Sequence, residues 1–357
     1  MEYFIIFIIA IFFASLADKH FKNVKQRWIF LVLAVLPPVL MAAFRADTVG
    51  IDVTWYITPI YSDIKRLVAF ESFLDSLEKE KVFYVIMFLA AKTFKTLFSV
   101  HFVNQLLIIF PIILLMAYIK EQCNVKIWKM YALYLFMQYN LSLCVIRQNV
   151  AFSIFLLGFY FLLHRKYIWY GMFTLLAAFS HNSTVIPILI FSTLYFCRDK
   201  VVTKKSQFIL LFSLSLIIVF YQYILSQFSF LIDDMYLGRM QNAEKNSGGI
   251  LTLIYTIVMA LLPFLYRKQI SKRYFFLCYV PVMGALFSIL ARNSIYLGRL
   301  AIPFSLFTCI TIPLCIGKRM QYYIVLFMVI CYWYVSYIEK ASWETYPYVM
   351  DVRLNMF

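Results

Sequence analysis

Arginine, histidine and carboxylate side chains interrupt the apolar sequence at four places. The first is residues 44–56, Phe-Arg-Ala-Asp-Thr-Val-Gly-Ile-Asp-Val-Thr-Trp-Tyr, which include Arg45, Asp47, Asp52 and Tyr56. Such a mixture of cationic, carboxylate, hydroxyl and aromatic groups suits the binding of sugars and phosphates. A polar loop that caps the following helix would use the same residue types, so both interpretations stay open.

The second motif is residues 145–151, Val-Ile-Arg-Gln-Asn-Val-Ala, a polar triplet between two apolar runs. Arg147 carries a planar fork of donors that grips phosphate oxygens, and Gln148 adds an amide beside it. The alternative is an arginine that extends from a helix end toward lipid headgroups. The polar neighbours favour a binding site.

The third motif is His181, within Phe-Ser-His-Asn-Ser-Thr at residues 179–184. It interrupts an apolar stretch over residues 167–196, which as one helix would be about 45 Å long. A bilayer core is about 30 Å thick, so a helical hairpin that turns at His181 is predicted. There the histidine could accept a proton, or it could be a hydrogen-bonded turn residue.

The fourth motif is residues 291–299, which contain Arg292, Tyr296 and Arg299. The two arginines are seven positions apart, so a helix would place them on one face, two turns from each other. Such a pair suits a long polyanionic or pyrophosphate ligand. Pairing of both arginines with lipid headgroups is the alternative.

The composition requires a membrane to position these motifs. Of 357 residues, 64% are hydrophobic and 14% are charged, whereas soluble domains carry about 25% charged residues. The formal net charge is +16, but the basic residues form short clusters between apolar runs. Such clusters orient a membrane protein and give no reason to expect nucleic acid as a partner. The seven cysteines are scattered and read as packing residues.

Charge in the loops predicts how the chain crosses the membrane. The basic segment 18–27 is placed in the cytoplasm, and the acidic segment 45–81 is predicted to be an external loop. Lysines at the end of residues 82–98 favour a re-entrant or interfacial segment. About twelve crossings follow, in one transmembrane domain over residues 1–357, with all four motifs near the external face. The predicted spans are residues 2–17, 28–44, 103–119, 127–143, 146–163, 167–180, 184–197, 207–228, 250–266, 274–291, 294–316 and 321–338.

At these residues the chain resembles the EpsG family and, more broadly, the Wzy-type O-antigen and exopolysaccharide polymerases. Three blocks carry the resemblance, and each follows the family's order and spacing. They are Arg45, Gly50, Asp52 and Tyr56; then Ile146, Arg147, Gln148 and Ala151; then Ala177, His181 and Ser183. The span that begins at Tyr296 and Arg299 and the tail Tyr346-Pro347-Tyr348 are also similar. Asn149 departs from the pattern, which favours a small residue there.

The resemblance implies an all-α, GT-C-like polymerase in the bacterial inner membrane. Such an enzyme joins oligosaccharide units carried on undecaprenyl diphosphate at the outer, periplasmic face, alongside a flippase and a chain-length regulator. Because the leaving group is already a diphosphate, Arg147, Arg292 and Arg299 are expected to hold it. His181 or Asp52 is expected to take the acceptor proton.

The remaining candidates, Arg45, Asp47, Tyr56, Gln148 and Tyr296, are assigned to substrate binding. No metal or other cofactor is expected, because the only acidic doublet, at residues 233–234, is not a DxD pair. Two other classes stay open. One is a flippase or transporter of lipid-linked saccharides, and the other is a ligase-like transferase or membrane acyltransferase. Only a polymerase makes a ladder of product lengths.

Overall fold

The computed structural model describes residues 2–66, 73, 80–199, 250–266, 270–291, 295–317 and 319–351. These residues form helices and connecting segments, and within them the only β-type pairing is an isolated antiparallel bridge between Arg45 and Met350. The chain is therefore a helical membrane protein, as its composition predicts. The predicted span 207–228 lies outside the described residues.

The helices follow one another with short connections. The α-helices are α1 (Glu2–Lys19), α2 (Val24–Ala43), α3 (Thr58–Arg66), α4 (Lys81–Phe94), α5 (Leu97–Cys123), α6 (Ile127–Met137), α7 (Tyr139–Cys144), α8 (Ile146–Leu163), α9 (Tyr167–Ser180), α10 (Val185–Phe196), α11 (Ile250–Leu265), α12 (Tyr279–Leu290), α13 (Ile295–Ser305), α14 (Thr308–Ile316) and α15 (Gln321–Trp333). Turns of π-helix cover Val53–Ile57 and Tyr334–Glu339, and 3₁₀ turns cover Asn182–Thr184, Lys272–Cys278 and Ser342–Glu344.

Six helical segments in the described part of the chain are long and apolar enough to cross a membrane. They are Val24–Ala43, Leu97–Cys123, Ile146–Leu163, Lys272–Leu290, Gly298–Ile316 and Gln321–Glu339. Shorter apolar helices cover Tyr167–Ser180, Asn182–Phe196 and Ile250–Leu265. The twelve crossings and the GT-C-like arrangement stay predictions.

The lengths of the helices bear on two of the predicted segments. The predicted span 127–143 is two helices, α6 and α7, which are separated at Gln138. The segment 82–98 contains α4, whose 14 residues extend about 21 Å, less than the bilayer core. That length suits the predicted interfacial position of α4, which stays a prediction.

The chain divides into two compact units. The first comprises Met1–Val185 and Gly317–Phe357, and the second comprises Ile186–Ile316.

Within the second unit, a Cβ added to Gly284 of α12 would lie 3.0 Å from the backbone nitrogen of Ser305, so the glycine permits close packing of α12 against α13. The ring of Phe191 stacks on Phe304 in the same unit, with centroids 5.7 Å apart.

Helix ends in the first unit follow from local capping. The Asn23 side chain accepts a hydrogen bond from Gln26 N at the start of α2, and Thr96 accepts one from Ser99 N at the start of α5. Asn124 adopts a left-handed conformation, φ 52°, where α5 ends. These side chains satisfy backbone groups that a helix end leaves open.

The end of α1, which leads into the predicted cytoplasmic segment 18–27, lies beside basic residues of other helices at one end of the first unit. The Asp18 carboxylate accepts a hydrogen bond from Trp128 N at 3.1 Å and lies 3.9 Å from Lys120 Nζ. Lys129 Nζ donates to Gly317 O at 2.6 Å. The ends of α1 and α5 and the starts of α6 and α15 therefore meet here, opposite the start of α5, where His101 lies.

The C-terminal segment packs against residues 44–50 and fixes the backbone that carries the first motif. Ala46 N donates to Val349 O at 2.8 Å, and Gly50 N donates to Glu344 O at 2.9 Å. The Tyr3 hydroxyl donates to Thr345 O at 2.6 Å and ties α1 to the same segment. The first motif is thus held in a fixed conformation beside the start of α8.

Candidate functional site

The start of α8 is the centre of the site. The Asp52 carboxylate accepts a hydrogen bond from Ile146 N at 3.1 Å and is 3% exposed. A carboxylate at a helix N-terminus satisfies an open N–H group and complements the helix dipole. Asp52 therefore positions Arg147, the second residue of α8. Its predicted catalytic role stays a prediction.

Arg147 lies between an aromatic ring and a carboxylate. Its Nη1 donates to Glu80 Oε2 at 2.8 Å, and its guanidinium carbon is 3.9 Å from the centroid of the Tyr56 ring. The side chains of Arg147 and Glu80 are 16% and 9% exposed. Planar guanidinium groups stack favourably on aromatic rings, so Tyr56 and Glu80 together fix the direction of the arginine.

His181 breaks the helical run where the sequence predicts it to do so. The helix α9 ends at Ser180, His181 is extended with φ −162° and ψ 121°, and a 3₁₀ turn begins at Asn182. The helices α8 and α9 pack against each other, so the end of α9 meets the start of α8. His181 therefore lies on the same side as Arg147.

The imidazole of His181 has a defined orientation. Ser183 N donates to His181 Nδ1 at 3.2 Å, and the Ser183 hydroxyl lies 2.9 Å from the same nitrogen. His181 Nε2 lies 3.5 Å from Glu80 Oε1. Because a backbone N–H can only donate, Nδ1 is the acceptor, and in the neutral ring the proton is on Nε2, which faces Glu80.

Tyr84 of α4 completes the polar cluster. Its hydroxyl interacts with Arg147 and Glu80. Burial raises the pKa of Tyr84, whereas the positive charge of Arg147 acts in the opposite direction. The phenol therefore stays protonated at neutral pH and can donate or accept a hydrogen bond.

Arg45 lies in a separate buried cluster. Its Nη1 donates to Leu143 O at 2.9 Å, and its Nη2 is 3.2 Å from His101 Nδ1. Only 2% of Arg45 is exposed. Gly50 makes this arrangement possible, because its φ is +97° and a Cβ there would lie 2.5 Å from Leu143 O. The structure thus gives Arg45 protein partners, and its predicted contact with substrate stays a prediction.

The other candidates are distributed as follows. Asp47 is half-buried and its carbonyl accepts a hydrogen bond from the Thr54 hydroxyl at 2.9 Å, while Gln148 is 3% exposed in the first turn of α8. Arg299 lies in α13, which belongs to the second unit. Arg292 and the side chain of Tyr296 lie outside the described part.

The structure thus brings Arg147, His181 and Tyr56 together, and it adds residues that the sequence analysis did not select. Glu80 and Tyr84 contact Arg147, and His101 contacts Arg45. Glu80 belongs to the alternating run Glu-Lys-Glu-Lys at residues 78–81, which is typical of a solvated loop. Its partners are 67 and 101 positions further along the chain, so no local spacing could reveal the pairing.

The cluster of Tyr56, Glu80, Tyr84, Arg147 and His181 is here called the arginine–glutamate site. It combines a cation that can bind an anionic group, a carboxylate and an imidazole that can accept or position a proton, and aromatic faces. Within the described ranges, no group of three or more His, Cys, Asp or Glu side chains is placed to hold a metal ion.

The fold and this site define a class, a helical membrane protein with a mostly buried ionic cluster at one end of its first unit. Comparison with known protein families narrows this class to one family. The EpsG family model matches residues 28–350, nearly the whole chain, so the chain belongs to the EpsG family. No curated protein and no solved structure matches the chain.

Proposed function

We propose that this protein is a metal-independent glycosyltransferase that polymerises oligosaccharide repeat units carried on undecaprenyl diphosphate. Membership of the EpsG family fits a polysaccharide polymerase. The observation that carries the proposal is the location of the arginine–glutamate site: its five residues all lie within the matched range. An arginine with an adjacent carboxylate is what transfer from a diphosphate leaving group needs.

In the proposed reaction, the growing glycan leaves one lipid diphosphate and joins a sugar hydroxyl on a second lipid-linked unit. The bond from the sugar C1 to the diphosphate oxygen breaks, and the electron pair leaves with the diphosphate. A bond from C1 to the acceptor oxygen forms, and the acceptor proton passes to a base. Arg147 stabilises the departing negative charge, and the Tyr56 ring supports the arginine from the other side.

We place the site at the outer face of the bacterial cytoplasmic membrane. The support is the distribution of charge along the helices that carry the site. The helix α8 begins at Arg147's turn and is followed by His164, Arg165 and Lys166, and α5 begins near His101 and ends near Lys120. Basic residues favour the cytoplasmic side, so the opposite ends, with the site, face outward.

The proposed partners follow from this reaction. The substrate is a lipid-linked oligosaccharide whose polyprenyl chain stays in the bilayer. A flippase must deliver it to the outer face, and a chain-length regulator would set the product size. Arg292 and Arg299 are proposed as further diphosphate ligands.

The test is the product pattern of Arg147→Ala in cells that lack the native protein. Single repeat units on the lipid should accumulate, and the polymer ladder should disappear at normal expression of the variant. A defect in a flippase would instead leave lipid-linked units on the cytoplasmic side, where an external glycosidase cannot reach them. A full ladder from Arg147→Ala would refute the proposed diphosphate contact.

A further inference from the structure

We propose that Glu80 is the catalytic base of this transferase, and that the donor diphosphate releases it from Arg147 on binding. The inference rests on the proposed function and specifies its chemistry. In this scheme His181 is a positioning residue, which holds the Glu80 carboxylate. Neither His181 nor Asp52 then needs to accept the proton.

The two oxygens of Glu80 have different partners. Oε2 accepts the hydrogen bond from Arg147 Nη1 at 2.8 Å, while Oε1 lies 3.5 Å from His181 Nε2. The carboxylate therefore lies between the cation that would bind the diphosphate and the imidazole. A base beside the diphosphate site can reach an acceptor hydroxyl that approaches C1 of the donor sugar.

His181 is poorly placed to be the base itself. Its Nδ1 accepts from Ser183 N, so the neutral ring has its proton on Nε2, the nitrogen that faces Glu80. The lone pair that could take a proton is thus used by the backbone. A ring held in this way can donate to a carboxylate and fix its orientation, as the carboxylate–histidine pairs of other enzymes do with the roles exchanged.

Asp52 is also occupied. Its Oδ2 accepts the hydrogen bond from Ile146 N, and only 3% of the residue is exposed. Movement of this carboxylate toward a substrate would leave the start of α8 uncapped and would displace Arg147 with it. A buried hydrogen-bonding group that loses its partner is destabilising.

The charges around Arg147 explain why diphosphate binding would release Glu80. One guanidinium carries one positive charge, and a diphosphate presents more negative charge and more acceptor oxygens than one carboxylate. Binding of the diphosphate therefore competes directly with Glu80. The Glu80 side chain is 9% exposed, and a mostly buried carboxylate that loses its cation gains a strong tendency to take up a proton.

The backbone of Glu80 supports a functional role. The residue has φ 59° and ψ 31°, the left-handed region, directly before α4. A residue with a side chain is strained in this region, whereas a glycine is not. The glutamate supplies what a glycine lacks, a carboxylate between Arg147 and His181.

The reaction balances with these groups alone. The acceptor oxygen bonds to the donor C1 as its proton moves to Glu80 Oε2, the oxygen that Arg147 has released. The C1–O bond to the diphosphate breaks, and the electron pair leaves on that oxygen. When the lipid diphosphate departs, Glu80 gives the proton to water and returns to Arg147.

The experiment compares Glu80→Gln with the parent protein in lipid nanodiscs, with undecaprenyl diphosphate as the binding probe and defined lipid-linked repeat units as substrate. Glutamine removes the negative charge but keeps the side-chain size. We expect kcat to fall 10²–10⁴-fold, as for the loss of a general base, while the probe binds as tightly as before or more tightly. Glu121→Gln, an exposed position of α5, is the control and should change neither quantity.

Each result has one meaning. A retained kcat with tighter probe binding would show that Glu80 only competes with the diphosphate for Arg147, and this would overturn the proposal. Equal losses of binding and turnover would make it a structural support for Arg147, which also overturns it. If the parent protein neither bound the probe nor formed polymer, the proposed function itself would be wrong.

The role of His181 has its own readout, a double-mutant cycle. If His181 acts through Glu80, His181→Ala should lower kcat in the parent but cost less than about 3-fold in the Glu80→Gln background. A positioning role predicts this loss of additivity. Full, independent losses in both backgrounds would show that the imidazole acts on the substrate directly.

Discussion

Arg147 Nη1 lies 2.8 Å from Glu80 Oε2, and Nε of the same arginine is buried without a hydrogen-bond partner in the described structure. The cation is therefore held by a carboxylate but still has an unused donor. Such a donor costs free energy unless a ligand satisfies it. An anionic group is one partner that this donor could take.

The first prediction concerns the donor geometry of Arg147. Arg147→Ala should abolish polymer, whereas Arg147→Lys should keep the charge but lose the planar fork and the contact with the Tyr56 ring. A lost charged hydrogen bond is worth about 1.5–3 kcal/mol, so the lysine variant should bind undecaprenyl diphosphate roughly 10- to 150-fold more weakly. Titration of nanodisc-embedded protein measures this. Equal affinity in the lysine variant would mean that only the charge matters.

The second prediction concerns Asp52 and the start of α8. Asp52→Asn keeps an acceptor for Ile146 N and should lower stability by about 0.3–1 kcal/mol, the value of a charge at a helix end. Asp52→Ala leaves the N–H unsatisfied and should cost about 1–3 kcal/mol. Thermal unfolding in detergent compares the two. If Asp52→Asn is as stable as the parent but inactive, Asp52 takes part in the chemistry after all.

The sequence predicts some parts of the site and not others. Features that depend on neighbouring residues can be predicted, whereas contacts between residues far apart in the chain cannot. The break at His181 is local, because Ser-His-Asn-Ser-Thr cannot continue an apolar helix without interruption, and α9 ends at Ser180. The pairing of Glu80 with Arg147 is not local, because it depends on how α4 packs beside α8. Likewise, Gln138 separates α6 from α7, although the apolar run there suggests one span.

Crossing number is harder still to predict. Hydropathy identifies apolar segments, and the segment predicted at 146–163 coincides with α8. Whether a 14-residue helix such as α4 or α9 crosses, re-enters or lies in the interface depends on its packing and flanking charges. The partners of Arg45, Leu143 O and His101, likewise depend on packing and could not be read from its residue type.

The third prediction concerns Gly50. Its φ of +97° is unfavourable for alanine, and the added Cβ would lie 2.5 Å from Leu143 O, the acceptor of the Arg45 hydrogen bond. Gly50→Ala should therefore lose at least about 1–3 kcal/mol of stability and disturb the Arg45 cluster. Unfolding midpoints measured in detergent report the change.

Gly171→Ala is the matched control for Gly50. Gly171 lies within α9, and a Cβ there meets nothing within 4 Å. Alanine should be neutral or stabilising by roughly 0.5–1 kcal/mol at this position. Equal behaviour of the two alanine variants would contradict the tight approach of Gly50 to Leu143.

The fourth prediction separates orientation from proton transfer at His181. Glutamine can donate to Glu80 as the imidazole does, whereas alanine cannot. If His181 only orients the carboxylate, His181→Gln should keep kcat within about 10-fold of the parent, and His181→Ala should lose about 10²-fold. Turnover of lipid-linked repeat units over pH 5–8 gives both values. Equal and severe losses in the two variants would restore His181 as the base.

The fifth prediction concerns the side of the membrane on which the site lies. Asp63 is exposed in α3, close in sequence to Tyr56, and Lys166 is exposed in the turn between α8 and α9. In a background with Cys123, Cys197 and Cys331 replaced by serine, Asp63→Cys should react with an impermeant maleimide added to intact cells. Lys166→Cys should react only after the membrane is permeabilised, because the basic turn is predicted to face the cytoplasm.

Lys22→Cys is the control that decides between orientation and poor reactivity. It lies in the basic segment 18–27 and is exposed at the end of the first unit that also holds Asp18 and Trp128. It should therefore behave as Lys166→Cys does, silent in intact cells and reactive after permeabilisation. If Lys22→Cys and Lys166→Cys were labelled in intact cells while Asp63→Cys was protected, the protein would have the opposite orientation in the membrane. The arginine–glutamate site would then face the cytoplasm, and the substrate would have to reach it before a flippase acts.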